Sequence, residues 1–96
     1  MISSDSVIVA VRDQVSTDLG GGTAILHLKS GLYYSLNEVG ARVWELIQES
    51  RTVEDVLAML LDEYDVPREE CERHLLAVLQ QLREEELIRV SNGSLS

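Results

Sequence analysis

The sequence predicts a small α+β domain, a three-stranded antiparallel sheet followed by three α-helices. Three observations lead there. Ninety-six residues suffice for one domain and not two. Short β-branched and apolar runs, broken by glycine, fill the first third. From Asn37 onward the apolar residues recur at helical spacing.

Taken in order, VIVAVR (Val7 to Arg12) is short and β-branched, a strand. DQVSTDLGGG follows and ends in three glycines, so it reads as the mobile part of a long hairpin. TAILHLK (Thr23 to Lys29) is the second strand and LYYSL (Leu32 to Leu36) the third. Side-chain parity selects the turn between them. A two-residue Ser30-Gly31 turn puts Leu26 and Leu28 opposite Leu32 and Leu36. A three-residue turn, Lys29 to Gly31 with a left-handed glycine, gathers Leu26, Leu28, Leu32, Tyr34 and Leu36 on one face. The second gives a single apolar face, with His27, Tyr33 and Ser35 on the other.

Asn37 is suited to cap the first helix, which carries Val39, Val43, Leu46 and Ile47. Thr52 caps the second, with Asp55 completing a weak capping box. Val53, Val56, Leu57, Leu60, Leu61 and Tyr64 form its apolar stripe. Pro67 suits the first turn of a third helix that runs to about Glu86. On that helix Val78, Cys71, Leu82, Leu75, Leu79 and Leu76 span an arc of about 160°, wider than a one-sided stripe requires. Either the helix is wedged among several elements, or one margin of the arc faces something other than the core. Three strands then three helices is a winged helix-turn-helix layout, expected to form one domain over 1–96. A layout does not by itself give a function.

Charge and composition exclude several classes. The net charge is −9, and the seven arginines are scattered, so no basic patch offers itself to nucleic acid or anionic lipid. The first residues lack a basic region and a long apolar run, so they are not a secretory signal, and no stretch approaches a membrane span. A single cysteine, Cys71, forms no internal disulfide and fits a reducing, cytoplasmic setting.

Candidate chemistry is thin. Cys71 and His74 stand three apart on one helix face, but two ligands do not make a structural zinc site. Nor do they form a nucleophile pair, for no orienting group or oxyanion element accompanies them. Cys71 reads as a small buried apolar group and His74 as a groove-edge or surface residue. DLGGG enters a strand and lacks the Lys-Ser/Thr of a phosphate loop. Trp44 reads as core. No cofactor, metal or catalytic set is indicated. The strand LYYSL is more informative. In a three-strand meander it lies at an edge and carries no Lys, Pro or inward charge to blunt that edge. Such an edge accepts an extended peptide, with alternate side chains entering flanking pockets. VIVAVR is equally unguarded, so edge chemistry alone does not choose between them.

The segments GLYYSLNEVGARVWELIQESRTVEDVLAMLLDEYDV and LLAVLQQLREEELI resemble the PqqD family of peptide-recognition domains in the order and spacing of their motifs. The resemblance covers about Val7 to Val90 and implies a domain core at 7–90. It implies a winged helix-turn-helix that binds the leader of a ribosomally made precursor, as stand-alone members do in lasso-peptide biosynthesis. The leader is expected to add as an antiparallel strand to the third strand, in a groove against the third helix. By position, the backbone of Leu32, Tyr33, Tyr34 and Ser35 would pair with it. Tyr33 or Tyr34 with Cys71, His74, Leu75 and Val78 would form the pockets. A leader protease and an ATP-dependent cyclase are the further partners the resemblance implies. The alternative is a DNA-binding winged-helix regulator; six Glu against three Arg between Pro67 and Leu87 weigh against it.

Overall fold

Six strands and three helices make up the computed structural model, which describes residues 2–92. They are β1 (Ser6–Ala10), β2 (Gln14–Asp18), β3 (Thr23–His27), β4 (Tyr33–Leu36), α1 (Glu38–Leu46), β5 (Arg51–Thr52), α2 (Val53–Glu63), α3 (Arg68–Glu84) and β6 (Ile88–Asn92). The strands form two antiparallel three-stranded sheets, ordered β5-β1-β6 and β2-β3-β4.

This corrects the expected sheet. The strand at Val7 to Arg12 does not pair with the one at Thr23. It pairs with β6, from Ser6 opposite Asn92 to Ala10 opposite Ile88. The linker 13–22 is not simply a loop. Gln14–Asp18 form a strand paired along its length with β3, and only Leu19 to Gly22 make the turn. Its polar, mostly exposed sequence carries no burial signal, and its pairing comes from the neighbouring β3. Gly22 fits where β3 begins because a β-carbon there would run into the carbonyl oxygen of Leu36.

The β3–β4 register also differs from the parity argument. Ile25 lies opposite Tyr34 and Leu26 opposite Tyr33. The His27 N–H donates to Leu32 O at 3.0 Å, so the loop has four residues, Leu28 to Gly31. The glycine is left-handed as expected, with φ of 72°. One residue of slip turns β3 over. Thr23, Ile25 and His27 face inward and are buried, whereas Leu28 is 55% exposed. The strand has apolar residues at both parities, so hydrophobicity specifies its face weakly. His27 tips the balance because its ring is satisfied inside: Nε2 donates to the Glu86 carbonyl at 3.1 Å and Nδ1 accepts from Ser30 N–H at 3.4 Å.

The helices follow the sequence closely. Asn37 caps α1 by accepting from Gly40 N–H at 2.9 Å. Thr52 caps α2 by accepting from Asp55 N–H at 3.1 Å. Pro67 stands just outside α3, as its N-cap, and its carbonyl accepts from Cys71 N–H. The helix ends slightly earlier than expected, at Glu84, in a Schellman arrangement. Leu87 N–H donates to Leu82 O at 2.9 Å and Glu86 N–H to Arg83 O at 3.0 Å, with Glu86 left-handed at φ 57°.

The core collects Ile8, Ile25, Val43, Ile47, Val56, Leu57, Leu79 and Leu87, all with no exposed surface. Trp44 belongs to it at 2% exposure. The broad arc of α3 divides cleanly. Cys71, Leu75, Leu79 and Leu82 are buried, and the two margins, Val78 and Leu76, are half-buried. Among the described residues no helix is long and apolar enough to cross a membrane.

Candidate functional site

β4 is an edge strand, bonded to β3 on one side only. Which backbone groups it offers follows from the ladder. His27 and Leu32 form a hydrogen-bonded position, as do Asp13 and Leu28 on the other side of β3 through Leu28 N–H to Asp13 O at 3.0 Å. Hydrogen-bonded and non-bonded pairs alternate in an antiparallel ladder. The Ile25–Tyr34 pair is therefore bonded, and the N–H and C=O of Tyr33 and Ser35 point away from the sheet. Both residues are exposed, Tyr33 by 74%.

Side chains alternate across the same strand. Tyr34 and Leu36 turn inward and pack against the core cluster. Leu32 has the same parity yet stays 56% exposed at the loop. Tyr33 and Ser35 turn outward, as the sequence led us to expect.

Two concavities hold the remaining candidate residues. An open cleft of about 1120 Å³ is lined by Leu32 and Tyr34, by Arg83 to Glu86 at the end of α3, and by Arg12, Asp13 and His27. Within it the Tyr34 phenol and Glu85 share the lining. Glu85 as a hydrogen-bonding neighbour, then desolvation and Glu85's charge, hold the phenol above its usual pKa. The second is a small apolar cavity of about 120 Å³ where α1, α2 and α3 meet. Cys71, His74, Leu75 and Val78 line it from α3, Val39 and Val43 from α1, and Leu60 and Tyr64 from α2. Burial pushes the Cys71 thiol above its ordinary pKa, which disfavours the reactive thiolate.

The eight residues singled out in the sequence thus fall into three places. The four on α3 share the apolar cavity. Leu32 and Tyr34 line the neighbouring cleft, and Tyr33 and Ser35 supply the open edge and line neither. Sequence reasoning missed that Val39, 41% exposed, lines this cavity, and that the acidic end of α3 shares the cleft with Tyr34. The sequence places Val39 in the α1 stripe with Val43, and that spacing gives no sign that Val39 is left exposed. Among the described residues, no three His, Cys, Asp or Glu side chains gather where they could hold a metal ion.

The chain is similar to the solved structure "TbiB1 in Complex with the TbiA(beta) Leader Peptide". Identity is 32% over 84% of this chain and 94% of that one, with a TM-score of 0.78. It also shares its fold with "Lasso peptide synthetase B1 complexed with the leader peptide". There identity is 24% over 85% of this chain and 96% of that one, with a TM-score of 0.74. A search of curated proteins gave no match. Residues 22–88, the span from the start of β3 through α3, match the family described as coenzyme PQQ synthesis protein D, and the chain belongs to that PqqD family.

Proposed function

We propose that this protein binds the leader segment of a ribosomally made precursor peptide, most simply a lasso-peptide precursor, and presents it to processing enzymes. The observation that carries the proposal is the open edge of β4, followed directly by α1, whose Val39 lines an apolar cavity together with α3. The leader adds as an antiparallel strand outside β4, exchanging hydrogen bonds with Tyr33 and Ser35. Alternate leader side chains turn toward α3, where Cys71, His74, Leu75 and Val78 receive one of them, while Leu32 and Tyr34 flank the cleft beyond. The similarity to a protein solved with a leader peptide supports the reading. Membership in the PqqD family supports a binding role without catalysis.

We read the architecture as a winged helix-turn-helix, one recognition domain over 1–96 with its core at 7–90, working in the cytoplasm. The ends of that range lie outside the described residues. A leader protease and an ATP-dependent cyclase are the enzymes it would serve. The DNA-binding alternative finds no support: α3, which would have to enter a groove, is acidic in its first turn and at its C-terminal end.

Amide hydrogen exchange tests the proposal. On adding a lasso-precursor leader peptide that the protein binds, the N–H groups of Tyr33 and Ser35 gain protection. That of Tyr34, already bonded to β3, changes little. Protection spread evenly over α3 with none on β4 would refute strand addition.

A further inference from the structure

The outer face of the β2-β3-β4 sheet carries a pattern that the groove does not use. Val15 lies opposite Leu26, and Leu26 opposite Tyr33, so three apolar side chains form one row across the sheet. Val15 is 54% exposed and Tyr33 74%, and Leu26 between them is half-buried. The next outward row is different in kind. Thr17 lies opposite Ala24, and Ala24 opposite Ser35, all small. Both rows stop at the open edge of β4.

A strand added at that edge extends both rows. Because the outward backbone groups are those of Tyr33 and Ser35, the incoming residues that exchange hydrogen bonds with them are the hydrogen-bonded partners. In a pleated sheet those partners' side chains stand on the same face as Tyr33 and Ser35. The peptide residue between them, opposite Tyr34, points the other way. We infer that the protein reads its peptide on two faces, with an outer-face subsite formed by Tyr33, Leu26 and Ser35 in addition to the inward pockets. This rests on strand addition at β4. The ligand it fits is an extended segment with a small or polar residue opposite Ser35, any groove residue next, then an apolar β-branched or aromatic residue opposite Tyr33. In antiparallel addition the residue opposite Ser35 comes first in the peptide. Tyr33 is then a specificity-determining residue that acts through its side chain on the solvent face, and Leu26 is the floor beside it.

The test is a selection from a display library of random peptides on the immobilised chain, repeated on Tyr33→Ser and Ser35→Pro variants with thermal melting measured for each. Enriched peptides are expected to show the small–any–apolar triplet. Tyr33→Ser should weaken binding of peptides with an apolar third residue by about two- to fivefold, the range of one cross-strand pair. Peptides with serine there should be unaffected, and the preference at the middle position unchanged. If enriched peptides fail on Ser35→Pro yet show no preference that responds to Tyr33→Ser, the outer subsite is overturned and strand addition stands. If no peptide is enriched, or the enriched ones bind Ser35→Pro as well as the parent, both fall together.

Discussion

Replacing Ser35 with proline separates the binding edge from the fold. Ser35 sits opposite Ala24 at a non-bonded position, so its N–H faces outward and proline removes no bond to β3. Proline is tolerated at an edge for that reason, and its restriction on the preceding residue suits Tyr34, already extended. The stability cost should stay near 1 kcal/mol or below, a fall in Tm of about 4–8 °C for a domain of this size. Binding suffers in two ways. One ladder hydrogen bond worth about 0.5–1.5 kcal/mol is lost. The ring also stands where the incoming carbonyl must approach, so the partner oxygen is desolvated without a donor, at about 1–3 kcal/mol. Together these give about 1.5–4.5 kcal/mol, at least a tenfold loss of affinity. Tyr34→Pro is the contrasting variant. Its N–H enters the β3 ladder and its ring packs on the core cluster, so the fold itself should fail. Fluorescence anisotropy with labelled leader and melting by circular dichroism on one sample decide the matter. A folded Ser35→Pro protein with parental affinity would show that the peptide does not lie on β4.

Other outcomes follow from the same geometry. Val78→Asp places a charge at the mouth of the apolar cavity, where water still reaches it in the free protein. Melting should fall only slightly while leader affinity drops at least tenfold, because covering an unpaired carboxylate costs several kcal/mol; a large fall in Tm would instead place Val78 in the core. Raising salt from about 50 to about 500 mM should change affinity by less than about tenfold, since apolar burial and backbone pairing are not screened. A steep loss by titration calorimetry would point to the acidic end of α3 gripping a basic leader. Glu86→Gly should raise stability by up to about 1 kcal/mol, for it relieves a left-handed non-glycine residue in the Schellman turn; chemical denaturation that shows no gain would mean that the side chain holds the turn.

How much of this was legible depends on the range of the interactions. The caps at Asn37 and Thr52, the α2 stripe and the α3 arc are local, and the sequence alone located them. The open edge at Tyr33–Leu36 was legible only in part, because its lack of Lys, Pro or inward charge is shared by the strand at Val7, which lies between β5 and β6. β2 was hidden by its polar composition. The true partner of β1 was hidden by distance, since nothing near Val7 announces Val90. The β3 register failed where an apolar parity count met His27, whose burial depends on a carbonyl from the far end of α3. For the site, the four α3 residues that the resemblance pointed to line one cavity. That Tyr33 and Tyr34 part company, one to the solvent face and one to the cleft, follows from strand alternation and was legible as such. The companion role of Val39 required knowing how α1 lies against α3.

The division into two sheets also bears on the order in which the chain assembles. β2, β3 and β4 are successive neighbours joined by short turns, so their contacts close small loops. β1 and β6 pair across about 80 residues of intervening chain, a costlier closure that is intrinsically slow. On the ribosome the sheet with the unguarded edge is therefore complete while the strand that locks the first sheet is still unmade. During that interval nascent chains expose a receptive β4 to one another, and edge-to-edge capture competes with folding. A leader peptide already present would occupy the edge and act on the newborn protein as a shield against its own copies.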